Sequence, residues 1–298
     1  MSSQPYRILL TNDDGIESPG LLAAAETLSA LGEVIVVAPR VQQTSKGRSF
    51  SRSSDGIIEK RTLTLANGKQ IEGYAVGATP AQVVIHALHE ILPVKPDLAV
   101  SGINFGENAG NCVTISGTMG AAFETASAGI PTLAASLQLP AETANYFDHD
   151  QGVDFSPAGY FTALFGRYLL EQGLPEGVDI FKLDVPFIAT PATPWRVTRH
   201  SRLRCFEIKI DRPGGSWDTP ATADGIPMHL DPGQAEPGTD LRAIREEGIV
   251  SLTPMNIDMT ARIDLNGLDQ TMRNSNKKEP VSNLTLEMQT KRCKAHVP

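Results

Sequence analysis

Three cysteines in 298 residues is few, and Cys112, Cys205 and Cys293 are widely spaced and odd in number. They make neither a disulfide framework nor a zinc-ligand pattern, so the expected setting is reducing and cytoplasmic. No apolar run reaches the roughly 20 residues that a membrane-spanning helix needs. Residues 1–7 are short and polar and lack the apolar stretch of a secretory signal. Positive charge is also scarce: 26 Lys and Arg stand against 34 Asp and Glu, a net charge of −8. That argues against a polyanion-binding surface, and neither a nucleic acid polymer nor a membrane is expected as a partner. A small phosphorylated substrate stays compatible, because a bound cation reverses the sign of the local field.

Several α/β signatures are missing as well. The turn after the first apolar segment holds no Gly-x-Gly-x-x-Gly, which a dinucleotide fold would place there. Position 15 is glycine, so Asp13 does not open the Asp-x-Asp of a haloacid-dehalogenase-type phosphatase. Val100 is followed by Ser101 and Gly102, where a signalling receiver needs its phospho-accepting aspartate. Ser116 lacks the Gly-x-Ser-x-Gly frame of a serine hydrolase.

What is present reads as a soluble globular chain, 41% hydrophobic and 20% charged. Strand and helix signals alternate through the first half. Ile8–Leu10, Val34–Val37, Leu98–Val100 and Pro131–Ser136 read as core strands. Ser18-Pro19, Thr79-Pro80 and Ser116 open helices, the last carrying Met119, Ala122, Phe123 and Ala126 inward. Asn67-Gly68 between two strand-like runs marks a hairpin. Alternation of this kind predicts an α/β fold: a Rossmann-like three-layer core with a mostly parallel sheet. The pattern weakens after Pro140, although Phe161–Leu170 still reads as helix and Asp179–Val185 as strand. The expected organisation is a catalytic core over 1–190, a C-terminal extension over 191–255 ending in a returning strand, and a polar tail over 256–298.

Four segments bear chemistry. Leu9-Leu10-Thr11-Asn12-Asp13-Asp14-Gly15 carries an apolar strand into a glycine turn with two adjacent carboxylates. Open α/β sheets bind ligands at that edge, and two anionic oxygens there suit a hard divalent cation such as Mg²⁺. A pair of solvated turn aspartates is the plain alternative. Ser101 to Gly110 follows another buried strand and offers Asn104 and Asn108, one amide for a cation's oxygen shell and the other for a phosphate or a water. Ser116-Gly117-Thr118 begins a helix, where free N–H groups and the dipole attract anions. Gln42 to Gly47 contributes Thr44 and Ser45 hydroxyls, with Lys46 and Arg48 to neutralise a phosphate. Singly each is ordinary, since serines cap helices and asparagines satisfy loops. Together they gather acids, amides, hydroxyls and a helix start at one sheet edge, which points to metal-assisted phosphoryl hydrolysis.

In order along the chain, Ile8 to Gly15, Pro19-Gly20, Val36-Val37-Ala38-Pro39, Ser101-Gly102-Ile103-Asn104 with Gly106, Asn108 and Gly110, Ser116-Gly117-Thr118 with Gly120-Ala121-Ala122 and Glu124, Gly129-Ile130-Pro131, Gly238-Thr239-Asp240 and Gly248 to Pro254 resemble the SurE family of survival-protein nucleotidases. The similarity runs over roughly residues 7 to 255. It implies a divalent-metal-dependent phosphomonoesterase acting on nucleoside 5′- and 3′-monophosphates. It also implies one Mg²⁺ or Mn²⁺ per subunit and a homodimer or homotetramer formed by exchange of C-terminal elements. On the matching positions, Asp13, Asp14, Thr44 and Asn104 are the expected metal ligands. Asn108, Ser116, Gly117 and Thr118 are expected around the phosphate, and Asp13, Asp14 and Asn108 are the expected catalytic groups. The chain departs from the family's usual residues at Arg40, Thr44-Ser45, Glu107 and Cys112. A phospho- or nucleotide-binding module without turnover is the alternative function.

His86 and His89, three apart on a predicted helix, read as helix surface rather than a metal pair. Arg196, Arg199, Arg202 and Arg204 form a basic stretch suited to guiding an anion or bracing an oligomer. Lys277-Lys278 and Lys291-Arg292 read as solvated tail residues.

Overall fold

In the first strand, Ile8 and Leu10 join one hydrophobic cluster while Leu9 joins another, so both faces of the strand are buried. That is the mark of a parallel strand with helices on either side. The computed structural model describes residues 5–140, 152–227, 231 and 233–278. The elements run β1 (Tyr6–Thr11), α1 (Pro19–Leu28), β2 (Gly32–Pro39), β3 (Ile58–Thr64), β4 (Gln70–Val76) and α2 (Pro80–His86). They continue with β5 (Leu98–Phe105), α3 (Gly117–Ser127), β6 (Thr132–Leu137), α4 (Ser156–Gln172), β7 (Ile180–Val185) and β8 (Trp195–Val197). Last come β9 (Phe206–Asp211), β10 (Thr222–Pro227), α5 (Asp240–Arg245), β11 (Val250–Met255) and α6 (Leu265–Lys278).

A nine-stranded sheet has the order β3-β4-β2-β1-β5-β6-β7-β11-β8. Its centre, from β4 through β7, is parallel. β3 pairs antiparallel with β4, and β11 antiparallel with β7. On one face, Leu21, Leu28, Phe161 and Phe165 from α1 and α4 pack on Ile8, Leu10, Leu98 and Val100. On the other, Val83 of α2 meets Leu9, Val37 and Ala99, and Met119, Ala122, Phe123 and Ala126 of α3 meet Ala134 and Ile180. The fold is thus the three-layer α/β arrangement with a mostly parallel sheet.

Local chemistry explains the helix starts. Ser18 and Ser116 accept the N–H of Leu21 and Met119, and Thr79 forms a capping box with Gln82. The helix opened by Thr79-Pro80 changes winding at Ala87 and ends as a wider turn over Ala87–Ile91. Two differences stand out. The strand expected to stop at Val100 continues to Phe105, with a register shift between Ser101 and Asn104. The irregularity lets a glycine-bearing segment rejoin the ladder opposite Ser136 and Leu137. The tail read as merely polar contains α6, whose Leu265, Leu268 and Met272 lie on one side at helical spacing.

The chain divides into two compact units, one through Ile257 and one from Asp258. β8 and β11 are strands of the main sheet and belong to the first unit. β9 and β10 form a separate antiparallel pair within the expected C-terminal extension over 191–255. Cys293 and Lys291-Arg292 lie outside the described residues.

Candidate active site

Strand order reverses at β1, since the chain builds outward to β2 and β4 before returning to β5 on the other side. The crevice beyond such a point is where open sheets take ligands. After β1, the Asn12 side chain donates to the Gly15 carbonyl at 3.0 Å and to Ser18 Oγ at 2.7 Å, and accepts the Gly15 N–H at 3.2 Å. Gly15 adopts a φ of +104°, which side-chain-bearing residues avoid. The turn sets Asp13 and Asp14, 3% and 6% exposed, at one cavity of about 290 Å³.

Five further segments reach the same cavity. From β5 comes Asn104, whose Oδ1 lies 2.9 Å from the Thr118 hydroxyl and whose Nδ2 donates to the Gly106 carbonyl at 2.6 Å. The Phe105 N–H donates to Asp14 Oδ2 at 2.9 Å, fixing the acid turn against the strand end. From the loop after β2 come Thr44 and Ser45, which line the cavity, and the Gln43 N–H is bound to the Asp13 carbonyl at 2.6 Å. Asn108 lines it from the next loop, with its Nδ2 donating to Ser136 Oγ at 2.8 Å. Ser116, cap of α3, completes that polar side, and Ile115, Phe206 and Ile208 form an apolar wall.

The structure therefore brings together Asp13, Asp14, Thr44, Asn104, Asn108 and Ser116. Gly117 and Thr118 sit differently from expectation. A Cβ on Gly117 would fall 2.6 Å from Asp13 Cβ and Oδ2, so this glycine lets the helix start close over the acid. The Thr118 hydroxyl is fully buried behind the cavity, 2.5 Å from Asp13 Oδ1 as well as near Asn104. It organises the acids, and only its main chain is left to meet an anion. Lys46 and Arg48 do not line the cavity either. Arg48 is paired with Glu124 at 2.7 Å, and Lys46 faces a separate cavity of about 200 Å³ beside Arg40. His86 bonds Glu90 through Nδ1 at 2.5 Å, as a helix-surface pair would.

Burial first, and the neighbouring Asp14 charge second, push the Asp13 carboxyl up to about 7, against the opposing hydrogen bond from Thr118. Two adjacent buried acids resist being charged together, and among the described residues no lysine or arginine lines their cavity. Among the described residues, no group of three or more His, Cys, Asp or Glu side chains is placed to hold a metal. A cation here therefore needs the neutral oxygens of Asn104 and Thr44 beside the two carboxylates. That all-oxygen donor set fits a hard divalent ion.

Sequence reasoning missed a buried ionic cluster next to this site. Lys182 and Asp184 of β7 and Asp240 at the start of α5 are all fully buried and paired. Burial opposes the Lys182 charge, but Asp184 and Asp240 outweigh it and hold the ammonium above its ordinary range. Burial also opposes the Asp240 charge, and Lys182, His200 and the Ser201 N–H more than reverse that, keeping the carboxyl well below its usual range. The available signal was two charges spaced by two in the otherwise apolar run Ile180 to Val185, hence on one face of a buried strand. Glu107, held by Arg245, and Cys112 also line the cavity, and Cys112 shares an apolar cluster with the distant Cys205.

A doubly wound sheet with paired acids, amides and a helix start converging at its switch point defines an α/β protein with a built polyoxygen site. A profile described as "Survival protein SurE" matches residues 8–207. The 5′-nucleotidase SurE of Methanocella arvoryzae is 40% identical over 266 residues, covering 86% of this chain and 94% of its own. That of Thermococcus kodakarensis is 41% identical over 265 residues, covering 87% and 95%. The crystal structure of the SurE protein from Aquifex aeolicus superposes with a TM-score of 0.67 at 28% identity, over 89% of this chain and 99% of its own. The chain belongs to the SurE family.

Proposed function

We propose that this chain is a divalent-cation-dependent phosphomonoesterase that converts nucleoside 5′- and 3′-monophosphates to nucleoside and phosphate. Its curated relatives carry the name 5′-nucleotidase. The observation that carries the reading is the convergence of Asp13, Asp14, Thr44, Asn104, Asn108 and Ser116 on one cavity.

Asp13, Asp14, Asn104 and Thr44 would hold one Mg²⁺ or Mn²⁺ per subunit. When bound, the cation supplies Lewis acidity toward the phosphoryl group and the attacking water. Asp14 or Asp13 would orient the attacking water or accept its proton. Asn108, the Ser116 hydroxyl and the main-chain N–H groups of Gly117 and Thr118 hold the equatorial oxygens as charge develops. The apolar wall of Ile115, Phe206 and Ile208 takes the nucleoside. A homodimer or homotetramer is proposed through the β9–β10 pair, whose Ile208 and Ile210 are exposed. Among the described residues no helix is long and apolar enough to cross a membrane, which suits action in the cytoplasm.

The test is phosphate release from a panel of nucleoside 5′- and 3′-monophosphates, with and without chelator, for wild type and Asp14→Asn. Turnover should stop with chelator and return on adding Mg²⁺ or Mn²⁺, and Asp14→Asn should lose about 10³-fold in kcat. Chelator-resistant turnover, or an Asp14→Asn enzyme of full activity, rules out this mechanism. Nucleotide binding without release would instead identify a binding module.

A further inference from the structure

We infer that Lys182 is a positioning residue for Asn108: its buried ammonium joins two carboxylates that grip the Asn108–Gly110 main chain at the edge of the active site. The inference rests on the nucleotidase reading of that site.

The loop is held at two points. The Asn108 N–H donates to Asp184 Oδ1 at 2.8 Å, and the Gly110 N–H donates to Asp240 Oδ2 at 3.2 Å. The other Asp184 oxygen bonds Lys182 Nζ, which lies 3.0 Å from Asp240 Oδ2. Asp240 Oδ1 accepts the N–H groups of Ser201 at 2.9 Å and Leu241 at 2.7 Å, and His200 Nδ1 stands 3.3 Å from Oδ2. The Asn108 side chain is fixed separately, to Ser136 Oγ, and Ser136 is the cross-strand partner of Asp184. Neighbouring strands thus hold the main chain and the amide of one residue.

Stability alone does not account for the triad. Replacing a buried ion pair with apolar side chains is commonly neutral or better, so such pairs are poor stabilisers. Both carboxylates instead spend acceptor capacity on the loop that carries Asn108. Without the ammonium, two buried carboxylates face each other, and either a proton enters or one side chain moves. In both cases the grip on the loop loosens. A displacement of an ångström at a positioning group costs orders of magnitude in rate.

The test is a double-mutant cycle on AMP hydrolysis with Lys182→Met, Asn108→Ala and the pair, each variant first checked for folding by circular dichroism. Lys182→Met should lower kcat about tenfold or more with KM changed under about threefold, and should add less than about threefold in the Asn108→Ala background. Amide exchange across residues 106–111 should quicken at least about tenfold in Lys182→Met. Should Lys182→Met fail to fold, Asp184→Asn keeps the shape and leaves the Lys182–Asp240 pair. It should show the same dependence on Asn108 with a drop of about threefold to tenfold. Losses that multiply independently, or unchanged exchange in the loop, overturn the inference while wild-type activity stands. A wild type that releases no phosphate from AMP defeats the nucleotidase reading, and this inference with it.

Discussion

At the scale of single residues, the site depends on close approach to Asp13. Thr118 and Gly117 touch that acid from α3, one by a hydroxyl and the other by having no side chain. Gly117→Ala would drive a methyl into the Asp13 carboxylate, so we expect kcat to fall at least about tenfold while the fold survives. Retention of full kcat, with the Asp13 contact intact in a crystal structure of the variant, would contradict this. Legibility at this scale was uneven. Asp13, Asp14 and Ser116 could be read because the turn and the cap are local signals. Thr118 was placed on the phosphate side because a helix start attracts anions, yet its hydroxyl turns inward. Only the packing of α3 against the acid turn decides which way it points.

Among elements, β5 and α5 carry what the sequence concealed. The apolar run at Leu98–Val100 announced a strand, but pairing past the irregularity to Phe105 depends on β6 lying alongside. The partners of Asp240 come from β7, from the loop after β5 and from the segment after β8, and no local pattern links them. Asp240 also sets a pH dependence. Its folded pKa lies below its unfolded one, so the stabilisation it contributes is present above the unfolded value, about 3.9. It is lost as pH falls through the folded value. Asp240→Asn should therefore be less stable than wild type by about 3 kcal/mol at pH 7. Denaturant titrations from pH 7 down to pH 2 should show that gap narrowing below about pH 4, as the unfolded wild type takes up a proton that the folded one still refuses. A gap that stays constant over the range would refute the linkage.

For the whole molecule, the order of strands made the site predictable. A parallel sheet that reverses direction at β1 brings the ends of β1, β2 and β5 to one crevice, so loops far apart in sequence share a ligand. Alternating strands and helices are enough to infer that architecture. Asn67-Gly68 marks the β3–β4 hairpin and the returning strand is β11, whereas the β9–β10 pair and α6 needed the structure, because short strands and polar helices carry weak periodicity.

In the proposed mechanism Asp13, Asp14, Thr44 and Asn104 together hold a single divalent cation. The most direct test is the number of Mn²⁺ ions bound per chain, measured by electron paramagnetic resonance during titration of wild type and of Asp13→Asn/Asp14→Asn. One tightly bound ion in the wild type, absent from the double variant, is the predicted result. No bound ion in the wild type, or an ion still held at wild-type affinity without the two carboxylates, would contradict the account.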